Sequence, residues 1–350
     1  MKNQKFYILI IVLSLLILTV SCGEEKNEVS SENIQKESSK SEMKEESKDI
    51  EDYSGKKILY VDSYKDDYPW SKALSDSFSK IIDKTNAEYK IVRMDTKNNT
   101  SEEFKVEAGN KVKAIYDEYK PDVVIGADDN ASKYFIVPFL KNSETPVVVI
   151  GVNWNGDSYG YPFENTTGLY EVSPFKQTLD QLKQYSKGDK IAFISGDNAT
   201  AKIDSENMKK EFNVNFEKEY YCKTYEEFVN NYKKLQDEVD MFYFNNTGSS
   251  IINGWEDQIA NEFIENNTKI PSCTTYEWVT PYTLLGVTTV PKEHGDFAAN
   301  TALEILGGKN VSEIPFSKNK EGSLYLNQKI AEKLSITFNA NILKGAKIVK

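Results

Sequence analysis

The sequence predicts an α/β fold built from two doubly wound units in succession. Short unbroken apolar runs of strand length recur, among them KILYVDS, DVVIG, PVVVIGV, KIAFIS and DMFYF. Such runs are expected where helices cover both faces of a parallel sheet. Segments of helical period separate them, and the alternation restarts at Ser173-Pro174. One continuous large sheet is the alternative, and the clean restart argues against it. Roughly 300 residues follow residue 54, enough for two domains of ordinary size.

In the first unit, Lys57–Ser63 reads as a buried strand, followed by a helix from Trp70 to Lys84 and a second strand at Tyr89–Met94. From Ser101 to Tyr119, Phe104, Ala108, Val112, Ile115 and Tyr119 fall on one helical face. Asp122–Gly126 is a third strand, Ala131–Leu140 a helix and Pro146–Val152 a fourth strand. The second unit follows Asn165–Glu171. Ser173-Pro174 is a helix start, an N-cap with proline at the first helical position, and that helix reaches Tyr185. The strand Lys190–Ser195 comes next, then a helix to Phe212 and a strand around Asn215–Tyr221. The helix Thr224–Glu238 turns Phe228, Tyr232 and Leu235 inward, and Asp240–Phe244 is a strand. A helix from Trp255 to Asn266 sets Trp255, Ile259 and Phe263 on one side, before Ile270–Thr275. A helix at Ala298–Leu306, a strand near Ser323–Leu326 and a helix-like Gln328–Leu334 close the chain, with segments traded between the units.

Ahead of this body, residues 1–22 join a basic start (Lys2, Lys5), an apolar run from Phe6 to Leu18, and Leu18-Thr19-Val20-Ser21-Cys22. This is the layout of a bacterial lipoprotein signal peptide over residues 1–21, with Cys22 as the acylated residue. An uncleaved anchor helix is the alternative, although the run is short for a bilayer span. Either way the rest of the chain is expected outside the cytoplasm. Residues 22–54 are rich in Ser, Glu and Lys and hold no aromatic before Tyr53. Such a segment cannot offset its ordering entropy and reads as a disordered linker spanning roughly 30 Å.

The chain carries a formal net charge of −11, and loss of Lys2 and Lys5 would make it more acidic. That gives no electrostatic reason to bind nucleic acid or anionic lipid. Beyond Cys22 only Cys222 and Cys273 remain, either as two buried thiols or as a pair in an oxidising compartment. His294 is the one histidine, read as lying in a turn or near a helix start. A His-based triad, a two-His metal site and a His general base pair are therefore hard to build. No GxSxG elbow, HExxH, SxxK set or phosphate-cradling glycine loop is present. The expectation is a protein that is not an enzyme, with no cofactor and no metal.

Ligands in parallel α/β sheets sit beyond the carboxyl ends of the strands. The first such loop carries Ser63, Tyr64, Tyr68 and Trp70, whose rings either face a ligand or pack on their own helix. The loop after the third strand carries Asp128, Asp129 and Asn130. Two adjacent acids suit an ammonium group, while Asp129 or Asn130 is equally a helix cap. Asn153 and Trp154 follow the fourth strand, near Tyr159 and Tyr161. The second unit offers Asp197 and Asn198, Asn246 and Thr247 beside Gly248, and Tyr276 beside Trp278. Together these make a cleft of rings, amides and acids, suited to a small polar, aromatic or positively charged molecule.

VDSYKDDYPW, IGADDNASKYFIVPFLKN, PVVVIGVNW with YGYP, NTTGLYEVSP and the closing LYLNQKIAEKLSITFNANILKGAKIV resemble the substrate-binding proteins of ABC transporters of the tryptophan/tyrosine-associated type. The resemblance covers nearly all of residues 56–350. It implies a type I periplasmic-binding fold, two Rossmann-like lobes joined by three crossover strands near Gly168–Glu171, Tyr282–Thr288 and Ile314–Ser323. Lobe 1 would then hold residues 55–170 and 283–315, and lobe 2 residues 171–282 and 316–350. It implies a monomer that captures a small ligand by hinge closure, with an aromatic amino acid or another amine as ligand. An ABC permease with its ATPase, and the membrane reached through the lipid, would be its partners. The rival readings are a sensory lipoprotein signalling to a membrane partner, a surface adhesin or structural lipoprotein, and a cell-envelope hydrolase.

Overall fold

The computed structural model describes residues 52–349. The signal peptide, Cys22 and the linker as far as residue 51 lie outside the described residues.

Along the chain run β1 (Lys57–Asp62), α1 (Pro69–Ile82), β2 (Glu88–Arg93), α2 (Glu102–Tyr119), β3 (Val123–Ala127), α3 (Asp128–Ala131), α4 (Val137–Leu140), β4 (Val147–Asn153) and β5 (Thr166–Glu171). A π-helical turn, Ser132–Ile136, joins α3 to α4. Next come α5 (Phe175–Leu182), β6 (Ile191–Gly196), α6 (Ala199–Phe212), β7 (Phe216–Cys222), α7 (Tyr225–Leu235), β8 (Met241–Phe244), α8 (Asp257–Asn267), β9 (Ser272–Thr274) and β10 (Leu285–Thr289). The end of the chain gives α9 (Pro291–Leu306), β11 (Ser317–Lys318), β12 (Gly322–Asn327), α10 (Gln328–Lys333), α11 (Ala340–Gly345) and β13 (Lys347–Val349).

Two sheets result. The first has the order β11-β5-β4-β3-β1-β2 and the second β13-β12-β10-β9-β8-β6-β7. Every pairing is parallel except β10 with β12, which is antiparallel. The apolar runs end up buried on both faces, as their lack of alternation requires. On one face of the first sheet, Ile58 and Tyr60 meet Phe78 of α1 and Ala298 and Ala302 of α9. On the other, Leu59 and Val61 meet Val112 of α2 and Phe135. The second lobe has one aromatic-rich core in which Phe175, Phe193 and Tyr243 pack together.

The chain crosses between sheets three times: after β5, after β10, and between β11 and β12. The crossovers are laced to one another. Val172 N donates to Asn319 Oδ1 at 2.6 Å, and the Glu293 carboxylate accepts from the backbone N–H groups of Lys320 and Glu321.

Several expectations shift. β10 lies in the second sheet, paired with β9 and β12, and β11 in the first, so these crossings fall after Thr289 and after Lys318. The helix read as starting at Ala298 begins at Pro291, a proline at its first position. Ile259 points to solvent, because α8 starts only at Asp257 and its buried stripe is Ala260 and Ile264. Trp255 precedes the helix, with its indole donating to Asp257. The folded body begins before residue 55: Tyr53 is buried and its N–H donates to Asn86 Oδ1. Cys222 and Cys273 are both free and buried. His294 is buried in the first turns of α9. Among the described residues no helix is long and apolar enough to cross a membrane.

Candidate ligand-binding site

In the first lobe the site is built where β1, β3 and β4 end. Asp128 opens α3 with φ +70° and is 3% exposed. Its Oδ1 accepts from Trp70 Nε1 at 3.1 Å, and its Oδ2 has no hydrogen-bond partner. Gly151, at φ +69°, makes room for it, since a Cβ there would lie 3.1 Å from that Oδ1. Burial pushes the Asp128 carboxyl well above the usual carboxylate range, and the charges of Glu171, Asp62 and Asp129 push it further. Asp129 accepts from Asn153 Nδ2 at 2.6 Å and from Tyr159 OH at 2.7 Å. Tyr64 lies close enough to Asp128 and Asp129 that, after burial, their charges hold its phenol protonated.

The remaining first-lobe candidates brace this floor. Ser63 Oγ donates to Ala127 O and accepts from Ala131 N, tying β1 to the start of α3. Asn130 Nδ2 donates to Thr96 Oγ1. Neither Asp129 nor Asn130 caps a helix, because α3 already begins at Asp128 and Ala127 stands at its N-cap. Trp70 packs edge-on against His294 at 5.5 Å, and Tyr68 packs edge-on against Tyr64 with Lys97 over its face.

In the second lobe the polar centre is Asp204, 6% exposed within α6. Its Oδ2 accepts from Tyr276 OH at 2.6 Å and from Asn245 Nδ2 at 3.0 Å. Burial raises its pKa. Tyr276 packs on Trp278, with ring centres 4.7 Å apart, and Trp278 Nε1 donates to Asn246 Oδ1. Thr247 is buried beside them, its Oγ1 without a partner. Asp197 and Asn198 are occupied otherwise. Asp197 pairs with Lys202 at 2.6 Å, which lowers its pKa, and Asn198 caps α6 by accepting from Ala201 N.

Glu171 stands between the lobes, the last residue of β5 at the first crossover. Its backbone O accepts from Trp154 N at 2.8 Å. Trp154 takes φ +65°, and its ring lies 6.3 Å from Phe212 of α6, a first-lobe loop against a second-lobe helix. The Glu171 carboxyl has neither a hydrogen bond nor an ion pair among the described residues. Burial raises its pKa to about 8, with Asp129 of one lobe and Asp204 of the other adding to the shift. Four acids and several rings thus face one region from both lobes, an arrangement that favours an ammonium group near aromatic faces.

Glu171 and Asp204 lie outside the strand-end loops from which the site was expected, whereas Asn245 opens the expected loop 245–249. Asp204 had a signal: Ala201, Asp204, Ser205 and Met208 are the buried stripe of α6, so an acid sat at a core-facing position of its helix. Glu171 ends an otherwise uncharged strand, TTGLYE.

A family model described as ABC transporter substrate binding protein matches residues 73–350. Among solved structures, a ligand-free, open substrate-binding protein with adhesive properties from Clostridium difficile is 17% identical with a TM-score of 0.65, over 84% of this chain and 99% of that one. An ABC domain in complex with L-Trp from Streptococcus pneumonia is 15% identical with a TM-score of 0.56, over 85% and 100%. A periplasmic ribose ABC transporter structure from Conexibacter woesei is 14% identical with a TM-score of 0.50, over 85% and 99%. At such identities the likeness is one of fold, a type I periplasmic-binding architecture. No curated protein matches the chain.

Proposed function

The chain belongs to the ABC transporter substrate-binding protein family, a non-enzymatic class, and on that premise we propose that it captures a small amine-bearing molecule outside the cytoplasm and delivers it to an ABC permease. The observation that carries this is a set of acids hydrogen-bonded only to neutral donors, Asp128 and Asp129 in one lobe and Asp204 in the other, with Glu171 at the first crossover between them. An ammonium group held there, between Tyr64 and Tyr276, would draw the lobes together about the three crossovers. Aromatic amino acids and related amines are the ligand candidates, supported by the abundance of rings. A lipid on Cys22 and the linker to residue 51 would hold the body near its permease at high effective concentration.

A ligand that binds only the folded, closed form stabilises it by mass action, by about 2.7 kcal/mol at a hundredfold excess over Kd. Thermal melting against aromatic amino acids, other amino acids, amines, nucleosides and sugars should therefore give a clear upward shift within the amine-bearing set. A flat response across the panel would remove the solute-binding reading.

A further inference from the structure

We infer that this cleft selects an organic cation, an arylalkylamine without a carboxylate, rather than a zwitterionic amino acid. The inference rests on the solute-binding reading above and names the charge class of its ligand.

The chain neutralises the buried acid that ends β1 and leaves Asp128, Asp129, Glu171 and Asp204 without a cation. Asp62, fully buried, is paired with Arg93 and also accepts from Ser71 Oγ and Tyr64 N. At the cleft the donors are all neutral: Trp70 for Asp128, Asn153 and Tyr159 for Asp129, Asn245 and Tyr276 for Asp204. Among the described residues no lysine or arginine forms an ion pair with Asp128, Asp129, Glu171 or Asp204. Lys202 and Lys223 are taken by Asp197. Lys97 lies over the rings of Tyr64 and Tyr68 and pairs with none of these acids.

A second observation points to a missing donor. Asp128 Oδ2, in a residue 3% exposed, receives no hydrogen bond. A buried carboxyl oxygen without a partner carries a desolvation cost that a ligand N–H would relieve. The acids are also spread out. Among the described residues no three His, Cys, Asp or Glu side chains gather closely enough to hold a metal ion. An extended cation with an aromatic body fits that spread and meets Tyr276, Trp278 and Tyr64 on its faces. The carboxylate of an amino acid would find no lysine or arginine paired within this set of acids, and it would oppose the ionisation that an ammonium group favours.

Isothermal titration of the full chain with two matched pairs, tryptamine against L-tryptophan and tyramine against L-tyrosine, isolates the carboxylate. At least one amine should bind tenfold or more tightly than its amino acid, and Asp128→Asn should erase most of that preference. Glu171→Gln serves as a second variant should Asp128→Asn fail to fold. If an amino acid binds as tightly as its amine, the solute-binding reading stands and the charge-class inference falls. If calcium chloride alone raises the melting temperature in an Asp128-dependent way while neither amine binds, the acids form a metal site and the inference is overturned. Binding of none of the four also overturns it, and silence of the wider melting panel would then take the solute-binding reading with it.

Discussion

Asp62 and Asp128 stand at the ends of neighbouring strands and are treated in opposite ways. Asp62 keeps Arg93 as its counter-ion, so Arg93→Ala should strand a buried charge and cost about 3 kcal/mol in urea denaturation. Asp62→Asn in that background should recover most of the loss. Glu171 has no counter-ion and a carboxyl pKa raised to about 8. From its ordinary value up to about 8 the folded chain holds a proton that the unfolded chain has released. Stability therefore falls as pH rises through that window and levels off above it. Glu171→Gln should flatten the decline in melting temperature between pH 6.5 and 8.5. His294, held down to about 4 by burial, contributes mainly below pH 6.5, where the unfolded imidazole takes up its proton. A slope unchanged by the substitution would mean Glu171 is charged in the folded protein. The adjacent acids Asp128 and Asp129 were legible because a strand mouth in a parallel sheet is where ligands bind. That Asp128 is buried was not, because its surroundings come from Trp70 and Gly151, each more than twenty positions away in sequence.

Helix α9 joins distant parts of the chain: it follows a strand of the second sheet and packs on α1 of the first lobe. Gly295 allows that approach, since a Cβ there would lie 2.3 Å from Leu74 O and 2.8 Å from Ser77 Cβ. Helix propensity alone would reward Gly295→Ala by about 1 kcal/mol. Overpacking costs typically 1–3 kcal/mol, and a clash with a backbone atom in a helix pair belongs at the upper end. The variant should therefore lower the melting temperature, and a rise would show that α1 and α9 separate freely. Strands and helices were largely readable from period and apolar runs, with most ends displaced by a few residues and the start of α9 by seven. The errors came where long-range pairing decides: β10 is apolar enough for either sheet, and only its partners Cys273 and Leu326 assign it. The π-helical turn after α3 left no period to find, since one turn is too short to show one.

At the scale of the whole molecule, two sheets joined by three crossovers carry the proposed acidic site, with acids and rings contributed by both lobes. The doubling was legible because the strand–helix text restarts at Ser173. The meeting of Asp129, Glu171 and Asp204 was not, because it depends on how the lobes face each other. The proposed hinge closure makes the distance between lobes the quantity to follow. Val106 on α2 and Ile203 on α6 are exposed, at 48% and 57%, and lie on different lobes, while Cys222 and Cys273 are buried and shielded from labelling and Cys22→Ser removes the third native thiol. Spin labels on Val106→Cys and Ile203→Cys, read by pulsed electron–electron resonance, report that distance directly. Adding a compound that raises the melting temperature should shorten and narrow the distance distribution, and Asp128→Asn should abolish the change. A distribution that stays the same with every stabilising compound would contradict capture by closure of the two lobes.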